Sequence, residues 1–145
     1  SPDTIPTEAK AAGLYMICTL SKHEAEKNGY SDALMLDYKG RVSESTGSNI
    51  FFVMNGEIHT PIPDCFLNGI TRKTVIDLAK SQNINVVERE IYPDEIKNAD
   101  EIFLTGSAVE VTPVGKIDDQ TFNVGDITKS ISELYMKTVD PNYAD

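Results

Sequence analysis

The sequence predicts an α/β (α+β) fold in which flanking helices pack on a mixed, largely antiparallel sheet. Two observations favour this fold. An Asn-Gly pair at 55 and 56 joins two adjacent strand patterns, which is typical of an antiparallel hairpin. A helical pattern over 69–83 separates two further strand patterns, which is typical of a crossover. Hairpins and crossovers in one chain fit neither a purely parallel sheet nor a sandwich, and 145 residues suffice for one core.

The first half of the chain is predicted to contain one helix and three strands. Residues 11–28 repeat apolar or small side chains at helical spacing, and Gly29 then ends the predicted helix. Residues 32–37 form a short strand pattern that is followed by a turn. Residues 48–61 form two strands joined by the Asn-Gly turn. These neighbouring strands are therefore expected to pair antiparallel.

The second half of the chain returns to helical periodicity. In order, it predicts a helix over 69–83, a strand over 84–91, a short helix over 92–100, two strands within 101–118, and a last helix capped by Asp126. Residues 140–145 form a loose tail.

Composition and charge exclude several classes of function. The chain has 23 acidic and 13 basic residues, a formal charge of -10 that opposes binding to nucleic acid or anionic lipid. No apolar run approaches the roughly 18 residues of a membrane span, and no signal-peptide pattern is present, so we expect a cytoplasmic protein without membrane contacts. Cys18 and Cys65 are predicted to be buried free thiols. The two histidines lack metal-ligand spacing, so no metal site is expected.

Lys10 lies among small apolar neighbours in "TIPTEAKAAGLYM", residues 4–16. It is either an ordinary surface lysine or a nucleophile, because apolar surroundings favour the neutral amine that attacks a carbonyl cofactor. The small residues around it leave room for a bulky cofactor to approach the backbone. By itself, this stretch does not decide between the two interpretations.

Two further segments offer complementary charges. Glu44, in "VSESTGSN" (42–49), is predicted to lie in a hydroxyl-rich loop, where it is either a solvated carboxylate or the partner of a pyridinium nitrogen. "LNGITR" (67–72) places Gly69 at the start of a helix, where the free N–H groups of Ile70 and Thr71 and the Thr71 hydroxyl suit a phosphate. Most helix starts of this kind bind nothing.

A fourth segment interrupts a predicted strand with small residues. In "LTGSAVEVTPV" (104–114), the backbone amides of Gly106, Ser107 and Ala108 are placed to point above the sheet. A simple β-bulge accounts for the same pattern.

Taken together and in this order, the segments resemble the class IV (fold type IV) pyridoxal-phosphate aminotransferases, and most closely the branched-chain amino acid aminotransferases. The matching stretches are "TIPTEAKAAGLY", "GYSDALMLD", "VSESTGSNIF", "NGITRKTVIDLAK", "ADEIFLTGSAVEVTPV" and "GDITKSISELY". The resemblance implies the D-amino acid aminotransferase-like fold, with its sheet arranged as a pseudo-barrel. It also implies that residues 1–139 are the C-terminal, pyridoxal-phosphate-binding domain and that residues 140–145 are a tail.

The resemblance implies a role for each candidate residue. Lys10 would link to pyridoxal 5′-phosphate as a Schiff base and, once freed, move the proton between the substrate Cα and the cofactor C4′. Glu44 would pair with the pyridine nitrogen. Tyr15 would hydrogen-bond the ring hydroxyl, which requires Lys10 to precede the regular helical turns. The remaining implied contacts are Leu67 against the ring, Gly69, Ile70, Thr71, Gly106 and Ser107 at the cofactor, and Ser107 and Ala108 at the substrate carboxylate.

The chain departs from the family pattern in two ways. Ser45, Thr46 and Ser48 occupy a motif that is usually richer in glycine, and serine stands at 107 where threonine is common. These changes bear on substrate preference more than on cofactor binding. The family's N-terminal domain is absent from this sequence, so we expect the chain alone to bind pyridoxal phosphate weakly or not at all and to lack transaminase activity.

The implied activity is transfer of an amino group between leucine, isoleucine or valine and 2-oxoglutarate. The full-length enzyme is then a homo-oligomer whose partners are amino acid and 2-oxo acid substrates. A D-amino acid aminotransferase or an aminodeoxychorismate lyase of the same fold is an alternative, and a non-catalytic binding domain is another. The joint presence of Lys10, Glu44 and Thr71 argues against the last, because a bare scaffold needs none of them.

Overall fold

The computed structural model describes residues 6–140 together with 142 and 143, so the expected tail lies partly outside the described residues. The helices are α1 (Tyr15–Lys27), α2 (Ile70–Ser81) and α3 (Asp126–Val139). Short 3-10 turns span Thr7–Ala9, Ala12–Leu14 and Pro93–Asn98. The strands are β1 (Leu34–Leu36), β2 (Val42–Ser45), β3 (Asn49–Met54), β4 (Glu57–Pro61), β5 (Val86–Arg89), β6 (Glu101–Gly106), β7 (Glu110–Pro113), β8 (Lys116–Ile117) and β9 (Gln120–Thr121). No helix in these described ranges is long and apolar enough to cross a membrane.

The central sheet has five strands in the order β5-β4-β3-β6-β7. β4 and β5 are parallel and are connected through α2, whereas the other neighbours are antiparallel. The expected mixed, largely antiparallel sheet is therefore confirmed. β5 and β7 are its edges, so this sheet is open rather than a closed barrel. β1 with β2, and β8 with β9, form separate two-stranded ladders.

Both faces of the sheet are covered, which explains why β3 is apolar from Ile50 to Met54 rather than alternating. Phe51 and Val53 pack with α2 and α3 on one face. Ile50 and Phe52 point to the other face, into a second cluster that includes Ile91. The rings of Phe51 and Phe103 stack across β3 and β6 with centroids 4.9 Å apart. β3 is thus the buried central strand of the sheet, and the strands around it hold the residues of the candidate site in place.

The first helix begins later than its sequence pattern predicts. α1 starts at Tyr15, and Lys10 precedes it in a left-handed backbone conformation with φ 46°. The expected stripe is only half-buried, and Ile17 within it is exposed, as are Met16 and Leu20. The described part of the chain provides no surface that covers these side chains, so helical periodicity alone overestimates their burial.

The cap of the last helix is also different from the prediction. Asp126 is the first helical residue and makes no capping hydrogen bond with its side chain. Instead, Glu101 on β6 accepts hydrogen bonds from the backbone amides of Thr128, at 2.7 Å, and Ile127, at 3.3 Å. The helix start is therefore satisfied by a residue far away in sequence, which local capping patterns do not reveal.

Candidate active site

A cleft of about 780 Å³ opens where four parts of the chain converge. They are the segment before and within α1, strand β2, the loop that leads into α2, and the end of β6. Every residue proposed for the site from the sequence lines this cleft, namely Lys10, Tyr15, Glu44, Leu67, Gly69, Ile70, Thr71, Gly106, Ser107 and Ala108. The fold thus brings together groups that are separated by up to about two thirds of the chain.

Lys10 stands at the cleft between two 3-10 turns. Its φ of 46° is unusual for a residue other than glycine and costs free energy, which is often tolerated at functional positions. The turn is closed by the Lys10 backbone N–H, which donates to the Thr7 carbonyl oxygen at 3.4 Å. The expectation that Lys10 precedes the regular helical turns is confirmed. Its side chain is exposed and accessible to a ligand in the cleft.

Glu44 lies on strand β2, so its predicted position in a loop is wrong. The backbone of 42–45 pairs with β1, which turns the Glu44 side chain into the cleft rather than toward open solvent. Burial raises the pKa of Glu44 to about 7. Among the described residues, Glu44 has no ion-pair partner. A cationic group that enters the cleft would offset this burial and stabilise the carboxylate.

Tyr15 and Cys18 face the same region from α1. Burial raises the pKa of Tyr15, and the nearby Glu44 carboxylate raises it further. The same two causes raise the pKa of the Cys18 thiol. Cys18 and Cys65 are free but only half-buried, which corrects the expectation of buried thiols, because both line the cleft.

The N-terminus of α2 presents backbone donors to the cleft. Gly69 is the N-cap, and no side chain caps this helix start. Within the described ranges, the amides of Ile70 and Thr71 have no hydrogen-bond partner. Unpaired amides and the positive end of the helix dipole attract an anion. A Cβ at position 69 would lie 2.7 Å from Asn49 Oδ1, so the glycine is required by the close approach of that side chain.

The end of β6 supplies further polar groups. Gly106 pairs with Glu110, and Ser107 and Ala108 form the exposed turn of a β6–β7 hairpin, so the alternative of a simple bulge is wrong. Thr105, which the sequence argument missed, is 1% exposed and its hydroxyl has no hydrogen-bond partner among the described residues. An unpaired buried hydroxyl at a cleft is suited to a polar ligand.

Asn49 is a second residue that the sequence argument missed. It lines the cleft at the start of β3 and is 5% exposed. The one signal for it in the sequence is a polar residue at the head of an otherwise apolar strand, "NIFFVM". Buried amides of this kind are normally fully hydrogen-bonded.

Arg41 links three segments of the chain near the cleft through ion pairs. Its guanidinium donates to Asp37 at 2.6 Å, to Glu90 at 2.6 Å and to Asp64 at 3.0 Å. Asp37, Asp64 and Cys65 lie close enough together to resemble a metal-ligand cluster. Because the Arg41 guanidinium already pairs with both aspartates, this cluster is an ion-pair network of the protein.

The polar and charged groups that line the cleft are complementary to pyridoxal phosphate. Glu44 is a half-buried carboxylate that lacks a cation, and the first amides of α2 lack an anion. A small ligand with a protonated ring nitrogen and a phosphate would satisfy both, while Lys10 offers an amine at the same cleft. The unpaired Thr105 hydroxyl adds one more polar group.

Comparison with known proteins identifies the family. The family described as "Amino-transferase class IV" matches residues 2–117. A probable branched-chain-amino-acid aminotransferase of Rickettsia felis is 45% identical over 117 residues, covering 81% of this chain and 40% of the relative. Its counterpart in Aquifex aeolicus is 44% identical over 142 residues, covering 94% and 46%.

A solved structure shares the fold. The T.th. branched-chain amino acid aminotransferase, crystallised in complex with N-(5′-phosphopyridoxyl)-L-glutamate, superposes with a TM-score of 0.93 at 37% identity, covering 97% of this chain and 49% of that chain. The chain thus spans less than half the length of these relatives. On its matched residues and its fold, the chain belongs to the class IV aminotransferase family.

Proposed function

We propose that this chain is the cofactor-binding part, residues 1–139, of a pyridoxal-phosphate-dependent branched-chain amino acid aminotransferase. The enzyme transfers the amino group between leucine, isoleucine or valine and 2-oxoglutarate. The observation that carries the proposal is the convergence of Lys10, Glu44 and the N-terminus of α2 on one cleft. The names of the relatives and the phosphopyridoxyl-glutamate complex of the T.th. enzyme support it.

The residues of the cleft divide between the two ends of the cofactor. Pyridoxal phosphate, when bound, supplies an electron-accepting ring that stabilises negative charge at the substrate Cα. Glu44 would pair with the ring nitrogen and favour its protonated form. The other residues would hold the cofactor as follows: Tyr15 at the ring hydroxyl, Leu67 at the ring face, Gly69, Ile70, Thr71 and Ser107 at the phosphate, and Gly106 through its backbone.

Lys10 is the group that moves a proton at the substrate. As a neutral amine it would take the proton from the substrate Cα, and as the resulting ammonium it would deliver that proton to the C4′ atom of the cofactor. The small side chain of Ala11 next to it leaves room for this movement. The amides of Ser107 and Ala108 bind the substrate carboxylate and orient the Cα toward Lys10.

Further protein surface completes this site in the full-length enzyme. Met16, Ile17 and Leu20 on α1 and Ile70 at the cleft are exposed apolar side chains that would be stabilised by burial. The homo-oligomeric state and the cytoplasmic location belong to the same proposal. The chain alone is expected to bind the cofactor weakly and to lack appreciable turnover.

The test is spectroscopic. Pyridoxal phosphate is added to the full-length protein and the visible absorbance of the covalent complex is recorded. Lys10→Ala is expected to abolish this band, while Lys22→Ala, at an exposed lysine on α1, keeps it. A band that persists in Lys10→Ala removes Lys10 from the mechanism.

Activity assays then address the substrate. Leucine, isoleucine and valine with 2-oxoglutarate are compared with D-alanine and with aminodeoxychorismate. Turnover of the three branched-chain amino acids supports the proposal. Turnover confined to D-alanine or to aminodeoxychorismate would replace it with one of the alternatives of the same fold.

A further inference from the structure

The side chain of Asn49 connects two ends of the cleft, which are the Glu44 carboxylate (the ring end) and the N-terminus of α2 (the helix end). Its Nδ2 donates to the Leu67 carbonyl oxygen at 2.9 Å and to Glu44 Oε2 at 3.4 Å. Its Oδ1 accepts from the Gly69 backbone N–H at 3.2 Å. One amide therefore contacts the carboxylate on β2 and both sides of the turn that begins α2.

The pattern requires an amide. The side chain must donate on one side and accept on the other, which a carboxylate or an aliphatic group of the same size cannot do. Gly69 is matched to it, because a Cβ at that position would lie 2.7 Å from Asn49 Oδ1. Asn49 itself is fixed on the sheet, where it pairs with Thr105 of β6. The hydrogen bonds thus join the turn before α2 to the rigid centre of the sheet.

We propose that Asn49 is a positioning residue that sets the separation between the Glu44 carboxylate and the N-terminus of α2. The inference rests on the proposed function, because only a rigid ligand with a ring nitrogen and a phosphate senses that separation. Without Asn49, Glu44 and the amides of Ile70 and Thr71 are all still present. Each end then keeps its affinity for the group that it binds, the ring nitrogen or the phosphate. The advantage that a single ligand gains by binding both ends together is lost.

The experiment compares three probes on the full-length protein. Pyridoxal phosphate can bind at both Glu44 and the N-terminus of α2. Pyridoxal, which lacks the phosphate, tests only the Glu44 end, and inorganic phosphate tests only the helix end. Dissociation constants come from absorbance titration for the first two and from competition with pyridoxal phosphate for the third. In Asn49→Ala, pyridoxal phosphate is expected to bind about tenfold more weakly, which corresponds to about 1.4 kcal/mol. Pyridoxal and phosphate each change by less than about threefold, since neither probe spans the two ends.

Two further variants test the geometry. Asn49→Asp is expected to weaken pyridoxal phosphate more than Asn49→Ala does, because the new carboxylate faces the Leu67 carbonyl oxygen and Glu44. Asn49→Ser keeps a polar group at the head of β3 but is too short to bridge Leu67 and Gly69, so it is expected to reproduce the pattern even if Asn49→Ala folds poorly. The matched control is Thr60→Val on β4, which removes a buried hydrogen bond to the Ile50 carbonyl oxygen away from the cleft.

The outcomes separate the inference from the proposed function. If the three probes weaken by one common factor in Asn49→Ala and Asn49→Ser, or if neither variant differs from Thr60→Val, Asn49 has a purely structural role and the inference is wrong. If the unmodified protein gives no visible band with pyridoxal phosphate, the proposed function is wrong and this inference with it. A selective loss for pyridoxal phosphate supports the inference.

Discussion

The N-terminus of α3 depends on Glu101, which reaches it from the adjacent strand β6. Glu101 is 8% exposed, and its carboxylate accepts hydrogen bonds from the amides of Thr128, at 2.7 Å, and Ile127, at 3.3 Å. A Cβ added at Gly125 would overlap Glu101 Oε1, which no native packing allows. Glu101→Ala and Gly125→Ala should therefore disrupt the same contact from its two sides.

The expected loss follows from these contacts. A hydrogen bond to a charged acceptor contributes roughly 1.5–3 kcal/mol, and the longer one to Ile127 contributes less. Glu101→Ala also leaves the buried Thr128 amide without a partner. We expect Glu101→Ala to lower the free energy of unfolding by about 3–4 kcal/mol and Gly125→Ala by a similar amount. Asp126→Ala, at the residue that the sequence predicts as the cap, should cost less than about 1 kcal/mol, through the helix dipole alone.

Urea unfolding followed by circular dichroism measures these differences as shifts of the midpoint at constant slope. Glu101→Gln, which keeps the shape and loses the charge, should fall between Asp126→Ala and Glu101→Ala. If Asp126→Ala costs as much as Glu101→Ala, the helix is capped locally and the reasoning is refuted. A Gly125→Ala variant as stable as the parent would equally contradict it.

The remaining predictions concern two charged groups near the cleft. Because burial raises the pKa of Glu44 from 4.5 to about 7, the folded state binds a proton over a range in which the unfolded state has lost it. The stability of the cofactor-free protein should therefore fall as pH rises through this range, and Glu44→Gln should remove that part of the dependence in urea titrations at about pH 5 and about pH 7.5. Arg41→Met removes the cation next to the buried Asp37 side chain, which keeps only the hydrogen bonds from the Lys39 and Arg41 amides, and should cost about 3 kcal/mol of unfolding free energy. Lys137→Met, which removes an exposed ion pair, should leave Tm unchanged, and equal effects of the two substitutions would contradict the ion-pair argument.

Local chemistry made several elements predictable. The Asn55-Gly56 pair predicts a tight hairpin, and both residues indeed have positive φ, 53° and 80°, between β3 and β4. The helical periodicity of 69–83 and the position of Gly69 predict α2, which begins at Ile70. Such patterns depend on neighbours in sequence, so they can be interpreted without knowledge of the fold.

Other features depend on contacts between distant segments. The sequence predicts Glu44 in a loop, but the ladder with β1 extends the strand around it. The sequence predicts the cap of α3 at Asp126, but Glu101 is brought to the helix start by the packing of β6. Asn49 gives almost no signal in the sequence, because its hydrogen bonds join residues that lie up to 20 positions away.

The sequence by itself determined the family resemblance and the order of the site segments around Lys10, Glu44, Gly69 and Ser107. The roles of those residues stay predictions until the cofactor is added. Only the tertiary structure decided that the segments share one cleft and that Asn49 joins two of them. The physical reason is that the spacing between segments is set by strand register, since β3 fixes Asn49 opposite Thr105 at the end of β6.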